Sequence, residues 1–336
     1  MSVTDTELLV GIDAIRAAAA TLAGVAVRTP LVAFGPSERR RFLKAESLQP
    51  IGAFKIRGAY VAVASLTPKE RARGVITYSS GNHAQGVARA ARLLGVPAVI
   101  VMPSDAPRIK RDRVAADGAE IVVVGTASDE RRVVAERMAA ERGLAVIPPF
   151  DDDRVIAGQG TVGLEIAEDL PDVAAVLIPV GGGGLASGVA AAIRALAPRA
   201  RVIGVEPALA ADARDSLAAG RIVPWPAADV SRTIADGTRT QAVGRRTFAH
   251  MSRLLDSIVT VSEVEIAAGV RLAAEESRLV VEPSGALSVA AMAFRAAEIG
   301  LDRVDGPVVA VVSGGNVDPE RYLEFLRAPI PAVDPA

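Results

Sequence analysis

Residues 48–60 read LQPIGAFKIRGAY and set Lys55 between Phe54 and Ile56, in an apolar run flanked by glycines. The chain has four lysines, Lys44, Lys55, Lys69 and Lys110, among 38 lysines and arginines together. Arginine evidently serves wherever a generic cation is enough, so a lysine kept in an apolar setting points to amine chemistry. Arginine keeps its proton in proteins and forms no Schiff base, whereas a buried lysine amine can lose its proton and attack a carbonyl. Taken alone, a snorkelling lysine at a helix start is the better reading. Three glycine-rich segments further along change that balance.

Residues 179–185, PVGGGGL, lie between a strand-like and a helix-like run. Consecutive glycines let several backbone N–H groups face one concavity, and a helix start adds a potential that favours an anion. The physical reading is a phosphate cradle made by Gly181, Gly182, Gly183 and Gly184, with Leu185 entering the helix. Gly181, Gly183 and Ala186 also fit the dinucleotide fingerprint G-x-G-x-x-A, and Glu206 ends the next strand, where a ribose-binding acid belongs. On these residues alone both readings stay open. A tight strand–helix turn is the plainer alternative, for which four glycines are more than is needed.

Residues 79–86, SSGNHAQG, again join a strand to a helix. Ser79, Ser80, Gly81, Asn82 and His83 offer hydroxyls, an amide and backbone donors at the carboxyl edge of a sheet, where α/β proteins bind ligands. Helix capping by Ser79 or Ser80 explains the serines without a ligand. A packed or capping His83 is more common than a general base. Residues 313–316, SGGN, put the Ser313 hydroxyl at another strand end, although SGG alone is common in turns.

Apolar periodicity supplies the elements that must hold these segments. Residues 6–21 read as an amphipathic opening helix. Residues 74–78, 98–102, 120–124 and 145–148 read as short strands, alternating with a helix ending at Leu94, a helix containing Lys110 and a helix over 128–142. After DDDRV at 151–155 come a helix, strands at 174–180, 201–205, 257–261 and 307–312, and helices at 185–196, 263–276 and 284–299. Parallel strands need crossovers, so the alternation predicts two α/β domains with mostly parallel, twisted sheets and helices on both faces. The expected division is a large domain of residues 1–68 and 151–330, a small mobile domain of residues 69–150, and a loose tail at 331–336.

Composition narrows the function. The 336 residues are 50% hydrophobic, 3% aromatic and carry a formal net charge of -1, the balance of a soluble globular protein. No basic stretch is interleaved with aromatics, so nucleic acid is not an expected partner. Cysteine is absent and only His83 and His250 are available, which argues against disulfides, thiolate metal sites and zinc chemistry. There is no charged leader followed by an apolar core and no apolar run long enough to span a bilayer. The expectation is a cytoplasmic protein without a membrane partner.

Together the lysine segment, the asparagine loop, the tetraglycine loop and SGGN resemble, in order and spacing, the fold-type II pyridoxal-phosphate enzymes. More narrowly they are similar to the serine/threonine dehydratase and serine racemase family, over residues 27–322. The resemblance implies that Lys55 holds pyridoxal 5'-phosphate covalently, with Phe54 packing beside the ring. Gly181, Gly182, Gly183, Gly184 and Leu185 would bind its phosphate, and the large domain would carry the cofactor. Asn82 would meet the phenolic oxygen and Ser313 the pyridine nitrogen. A hydroxyl there does not enforce ring protonation, which suits rapid β-elimination over long-lived carbanions. Ser79, Ser80, Gly81, Asn82 and His83 would grip the substrate carboxylate while the small domain closes. Glu206, the Ala210 carbonyl and Asp212 match the family's cation site, with oxygen ligands suited to Mg²⁺, or to Ca²⁺ or Mn²⁺; a solvated acidic turn is the plainer alternative. A homodimer is a further family expectation.

The implied reaction is β-elimination from a 3-hydroxy amino acid, L-threonine or L-serine, giving a 2-oxo acid and ammonia, with Lys55 as the base at Cα. Ser80, on the face opposite Lys55, can return a proton and so permits racemisation, as in serine racemase. Dehydratases of the biosynthetic type tend to carry alanine there, yet many others share SSGNH. Arg132, in SDERR, matches a family arginine near the site opening. If it or Arg131 reaches the pocket, 3-hydroxyaspartate becomes a substrate, although a solvated helix face is the commoner outcome. Three departures stand out: Ala53 replaces a common serine, the 31–44 segment is short, and the chain ends soon after SGGN, so no isoleucine feedback is expected. The rivals are a β-replacement enzyme of the same cofactor class, a Rossmann oxidoreductase built on Gly181, Gly183, Ala186 and Glu206, and a non-catalytic phosphate-binding module.

Overall fold

Among the described residues, runs of buried Val, Ile, Leu and Ala form ten strands in two sheets. The computed structural model describes residues 9–332 apart from Ser80, Asp105, Pro107, Thr126 and Ala127, and only the backbone of Ile109, Ser128 and Asp129. The larger sheet holds β1 (Leu31–Ala33), β2 (Arg41–Ala45), β7 (Ala175–Pro179), β8 (Arg201–Pro207), β9 (Ser257–Val261) and β10 (Val308–Val312), in the order β1-β2-β10-β7-β8-β9. β1 runs antiparallel to β2, and every other neighbouring pair is parallel. The smaller sheet holds β3 (Val75–Tyr78), β4 (Ala98–Pro103), β5 (Glu120–Val124) and β6 (Ala145–Val146), in the order β5-β4-β3-β6, parallel throughout.

The helices follow the crossovers. Before the small sheet lie α1 (Ile12–Thr21), α2 (Lys55–Ala64) and α3 (Pro68–Arg73). Within it lie α4 (Asn82–Leu94), α5 (Arg108–Ala116) and α6 (Ser128–Arg142). After it come α7 (Asp153–Asp169), α8 (Gly184–Leu196), α9 (Asp212–Ala219), α10 (Ala227–Val230), α11 (Arg245–Leu254), α12 (Glu263–Ser277), α13 (Pro283–Phe294) and α14 (Pro319–Leu326). Among the described residues no helix is long and apolar enough to cross a membrane.

Strand alternation sends successive side chains to opposite faces, and the large sheet uses both. Ala175 and Leu177 of β7 join Ile266, Val270, Leu287 and Met292 on the face covered by α12 and α13. Val176 and Ile178 join Val162, Ile166, Val189 and Ile193 on the face covered by α7 and α8. A strand buried on both faces reads as a continuous apolar run, as β7 and β10 do. In the small sheet Ile100 and Met102 pack with Ala59, Ala62 and Val63 of α2 and Val87 of α4, while Val99 and Val101 pack with Ala135 of α6. Thus α2, which begins at Lys55, also builds the small sheet's core.

The expected α/β architecture is present, with local differences. The opening helix starts at Ile12, after Gly11 as N-cap; residues 6–8 of its expected span lie outside the described residues. The last large helix stops at Phe294 rather than 299, and the chain turns through Gly300 at φ 66. Strands β1 and β2 had no counterpart in the sequence reading: the three-residue edge strand β1 is too short to display a period, and the buried Arg41 and Lys44 break the apolar run of β2.

Candidate active site

Lys55 is the first residue of α2, and its side chain is partly buried. Nζ donates to the Pro149 carbonyl at 2.6 Å and lies 5.0 Å from the centroid of the Phe54 ring. Burial lowers the amine from the ordinary 10.5 to about 8. A neutral, nucleophilic amine is therefore within reach near physiological pH.

The helix carrying Lys55 is pinned by buried charges. Arg57 is 1% exposed. Its Nε donates to Glu46 at 2.8 Å and its Nη1 to Glu165 at 2.6 Å. Lys44, also fully buried, donates to the same Glu165 and to the Thr29 carbonyl, each at 2.6 Å. Two cations thus face two carboxylates behind the site. This corrects the inference from lysine scarcity: Lys44 is structural, and Lys110 pairs with Asp236 at 2.7 Å, so rarity alone does not mark amine chemistry.

The strand order brings the separate motifs together. β10 lies beside β2, so the Phe54 N–H donates to the Ser313 carbonyl at 3.0 Å and Ala53 bridges Gly314. The Ser313 hydroxyl, 5% exposed, donates to the Ser284 carbonyl at 3.4 Å. Asn82 opens α4. Its Nδ2 donates to Glu282 at 2.6 Å and its Oδ1 accepts from Asn316 Nδ2 at 2.8 Å. Glu282 escaped the sequence reading, because a glutamate before a proline looks like an ordinary exposed helix start. In the fold it is 3% exposed, and burial, with Asp236 nearby, pushes its carboxyl up to about 7.

The loop of residues 79–83 is described except for Ser80, which lies outside the described residues. The cap of α4 is Gly81, without a side-chain cap bond, and its N–H donates to Ser79 Oγ at 3.3 Å. His83 is 2% exposed and its Nε2 donates to the Ile147 carbonyl at 3.0 Å. Burial, and then the charge of Lys55, depresses the imidazole to about 3. It stays neutral and is too weak a base to compete for protons at pH 7, which favours the packed-histidine alternative. Arg132 is paired with Glu136 at 3.0 Å on α6, with its side chain 47% exposed.

The tetraglycine turn has the shape of a cradle. Gly183 is the N-cap of α8 at φ 91, a left-handed conformation that favours glycine. A Cβ on Gly182 would strike the Phe150 ring, and one on Gly183 would meet Thr247 and Met251. Leu185, 5% exposed, packs into the core beneath. A neighbouring segment, residues 147–151, ties the parts together. Pro149 holds Lys55, Phe150 lies on the glycines, and Asp151 accepts the Arg246 N–H at 2.8 Å at the start of α11. These residues carried no motif, because their role rests on backbone position and fit. The concavity, the helix start and the adjacent, partly buried amine fit a phosphate-bearing aldehyde.

Glu206 is fully buried at the end of β8. Its oxygens accept the N–H groups of Ala213 at 3.0 Å and Arg214 at 2.8 Å. They face the start of α9, away from the ribose role of the dinucleotide reading. Asp212 is also buried, and among the described residues neither of its oxygens has a hydrogen-bond partner of good geometry. Burial raises Glu206 well above the carboxylate range and Asp212 to about 7. Orphaned acidic oxygens beside a second buried carboxylate, with the buried Ala210 between them in sequence, suit a hard cation. Among the described residues no group of three or more His, Cys, Asp or Glu converges as a metal centre.

The family described as pyridoxal-phosphate dependent enzyme matches residues 23–314. The chain is 43% identical over 285 residues to L-threo-3-hydroxyaspartate ammonia-lyase of Saccharomyces cerevisiae, covering 85% of each. It is 46% identical over 277 residues to L-threonine ammonia-lyase of Geobacter sulfurreducens, covering 82% of this chain and 67% of that one. Maize serine racemase superposes with a TM-score of 0.88 at 36% identity, covering 94% of this chain and 97% of the other.

Proposed function

The chain belongs to the pyridoxal-phosphate dependent enzymes, and on that premise we propose that it eliminates water from a 3-hydroxy amino acid, L-threonine or L-serine, releasing ammonia and a 2-oxo acid. The observation that carries this reading is the partly buried Lys55 amine, depressed to about 8, beside a cradle of glycines. The bound cofactor would supply the electron sink that makes the Cα proton acidic. Lys55 Nζ, which donates to the Pro149 carbonyl, would take that proton. Gly181, Gly182, Gly183, Gly184 and Leu185 would hold the phosphate, Asn82 the phenolic oxygen, and Ser313 the pyridine nitrogen. Ser79, Ser80, Gly81, Asn82 and His83 would seat the substrate carboxylate, with the unit of residues 69–150 closing over it.

Similarity over 85% of both chains to a hydroxyaspartate ammonia-lyase supports a second reading, with an acidic substrate. Arg132 is its discriminating residue. A screen of cofactor-loaded protein with L-serine, D-serine, L-threonine and threo-3-hydroxyaspartate tests both readings. Oxo acid from threonine or serine, insensitive to Arg132→Ala, supports the first. Turnover of hydroxyaspartate alone, lost in Arg132→Ala, replaces it with the second. Inverted serine without oxo acid contradicts both and makes Ser80-dependent racemisation the activity.

We further propose that Glu206, the Ala210 carbonyl and Asp212 bind a divalent cation, Mg²⁺ or Ca²⁺. The support is the pair of orphaned Asp212 oxygens beside a buried glutamate.

A further inference from the structure

We propose that Glu282 is a positioning residue for the cofactor: through Asn82 it fixes which amide atom faces the cofactor, and its charge sets how firmly that amide is held. The inference rests on the proposed function of the same site and adds a residue to it.

The orientation of the amides follows from donor and acceptor chemistry. Asn316 Nδ2 donates to the Ile51 carbonyl and to Asn82 Oδ1, each at 2.8 Å, and Asn316 Oδ1 accepts from Arg113 Nη1 of α5. A carbonyl cannot donate and a guanidinium cannot accept, so the Asn316 amide has one orientation. Asn82 must then accept at Oδ1 and turn Nδ2 toward Glu282, to which one N–H donates at 2.6 Å. The second N–H of Nδ2 is left for a ligand oxygen. Asn82 can therefore offer its ligand a donor.

Glu282 holds this donor in place. Hydrogen bonds to an ionised partner are roughly twice as strong as neutral ones, so a carboxylate behind Asn82 anchors Nδ2 in this orientation more firmly than a carboxylic acid does. The charged groups facing Glu282 come from two directions. Asp236, in the turn Asp236–Thr238, raises its affinity for protons, and Lys110 of α5 lowers it. Lys110 and Asp236 are themselves joined at 2.7 Å. Helix α5 of the small sheet thus reaches the cofactor-facing amide twice, through Lys110 and Glu282 and through Arg113 and Asn316. With Glu282 titrating near neutrality, cofactor affinity gains a pH dependence that the lysine alone does not supply.

The test is equilibrium binding of pyridoxal phosphate to cofactor-free protein, for wild type, Glu282→Gln and Lys110→Met. At about pH 6, where Glu282 is mostly protonated, wild type and Glu282→Gln are expected to bind alike; at about pH 8 the variant is expected to bind about tenfold more weakly. Lys110→Met keeps the carboxyl but should move the wild-type gain in affinity to higher pH, so it stands as the test if Glu282→Gln does not fold. A ratio that stays constant with pH, or an unchanged Lys110→Met profile, overturns the proposal. Wild type that binds no cofactor at any pH refutes the proposed function instead.

Discussion

At the scale of single residues, the reading turns on how burial changes a lysine. An amine must be unprotonated to attack an aldehyde, and burial moves the Lys55 midpoint down from 10.5 to about 8. The rate of covalent cofactor attachment to cofactor-free protein should therefore rise with pH through about 8 and level off above it. A rate still climbing steeply at about pH 10 would mean an ordinary exposed lysine. Lys55, Asn82, Ser313 and the glycines, which the fold brings together, stood out in the sequence because the chemistry proposed for them resides in residue type. Glu282 and the Pro149 carbonyl did not: a backbone oxygen leaves no trace in a sequence, and a buried glutamate is recognised only from what surrounds it. Lys44 shows the opposite failure, a rare residue whose task is structural.

At the scale of elements, the site depends on how closely the 147–151 segment approaches the start of α8. A Cβ on Gly182 has no room beside the Phe150 ring, so Gly182→Ala should displace this segment, and with it Pro149 and Lys55. Cofactor affinity should fall by about tenfold or more, and Phe150→Ala in the same chain should restore part of it, since residues in contact couple. Binding assays on the two single variants and the double variant check this; strictly additive effects would separate Phe150 from the cradle. The crossovers of the main helices and strands were visible from periodicity. The edge strand β1 was too short for that, and the neighbours of β10 were not visible at all, because pairing β2 with β10 joins residues far apart in sequence. That pairing is what sets Ser313 beside Phe54.

At the scale of the whole molecule, two sets of buried charges behave differently. The set around Arg57 is internally neutralised. Arg57→Met leaves Glu46 buried without its main partner and should cost about 3–5 kcal/mol, read as a lower thermal midpoint. The acidic pair Glu206 and Asp212 is not neutralised. A carboxyl whose folded pKa is raised contributes stability that is fully present below the unfolded value and is lost as pH rises through the folded one, here about 7 for Asp212. Added Mg²⁺ or Ca²⁺ should raise the melting temperature most above that pH, and Asp212→Asn should remove both the cation response and much of the pH dependence. Melting curves indifferent to both cations across this range would leave the acidic pair without a ligand.

The most direct test of the central claim compares wild type with Lys55→Ala after loading with pyridoxal phosphate, following the visible absorbance of the bound cofactor and 2-oxo acid release from L-threonine and L-serine. The expected result is a cofactor band and oxo acid release in wild type, with both lost in Lys55→Ala while the melting curve stays cooperative. Oxo acid release that survives in Lys55→Ala would contradict the assignment of Lys55 as the residue that holds the cofactor and moves the Cα proton.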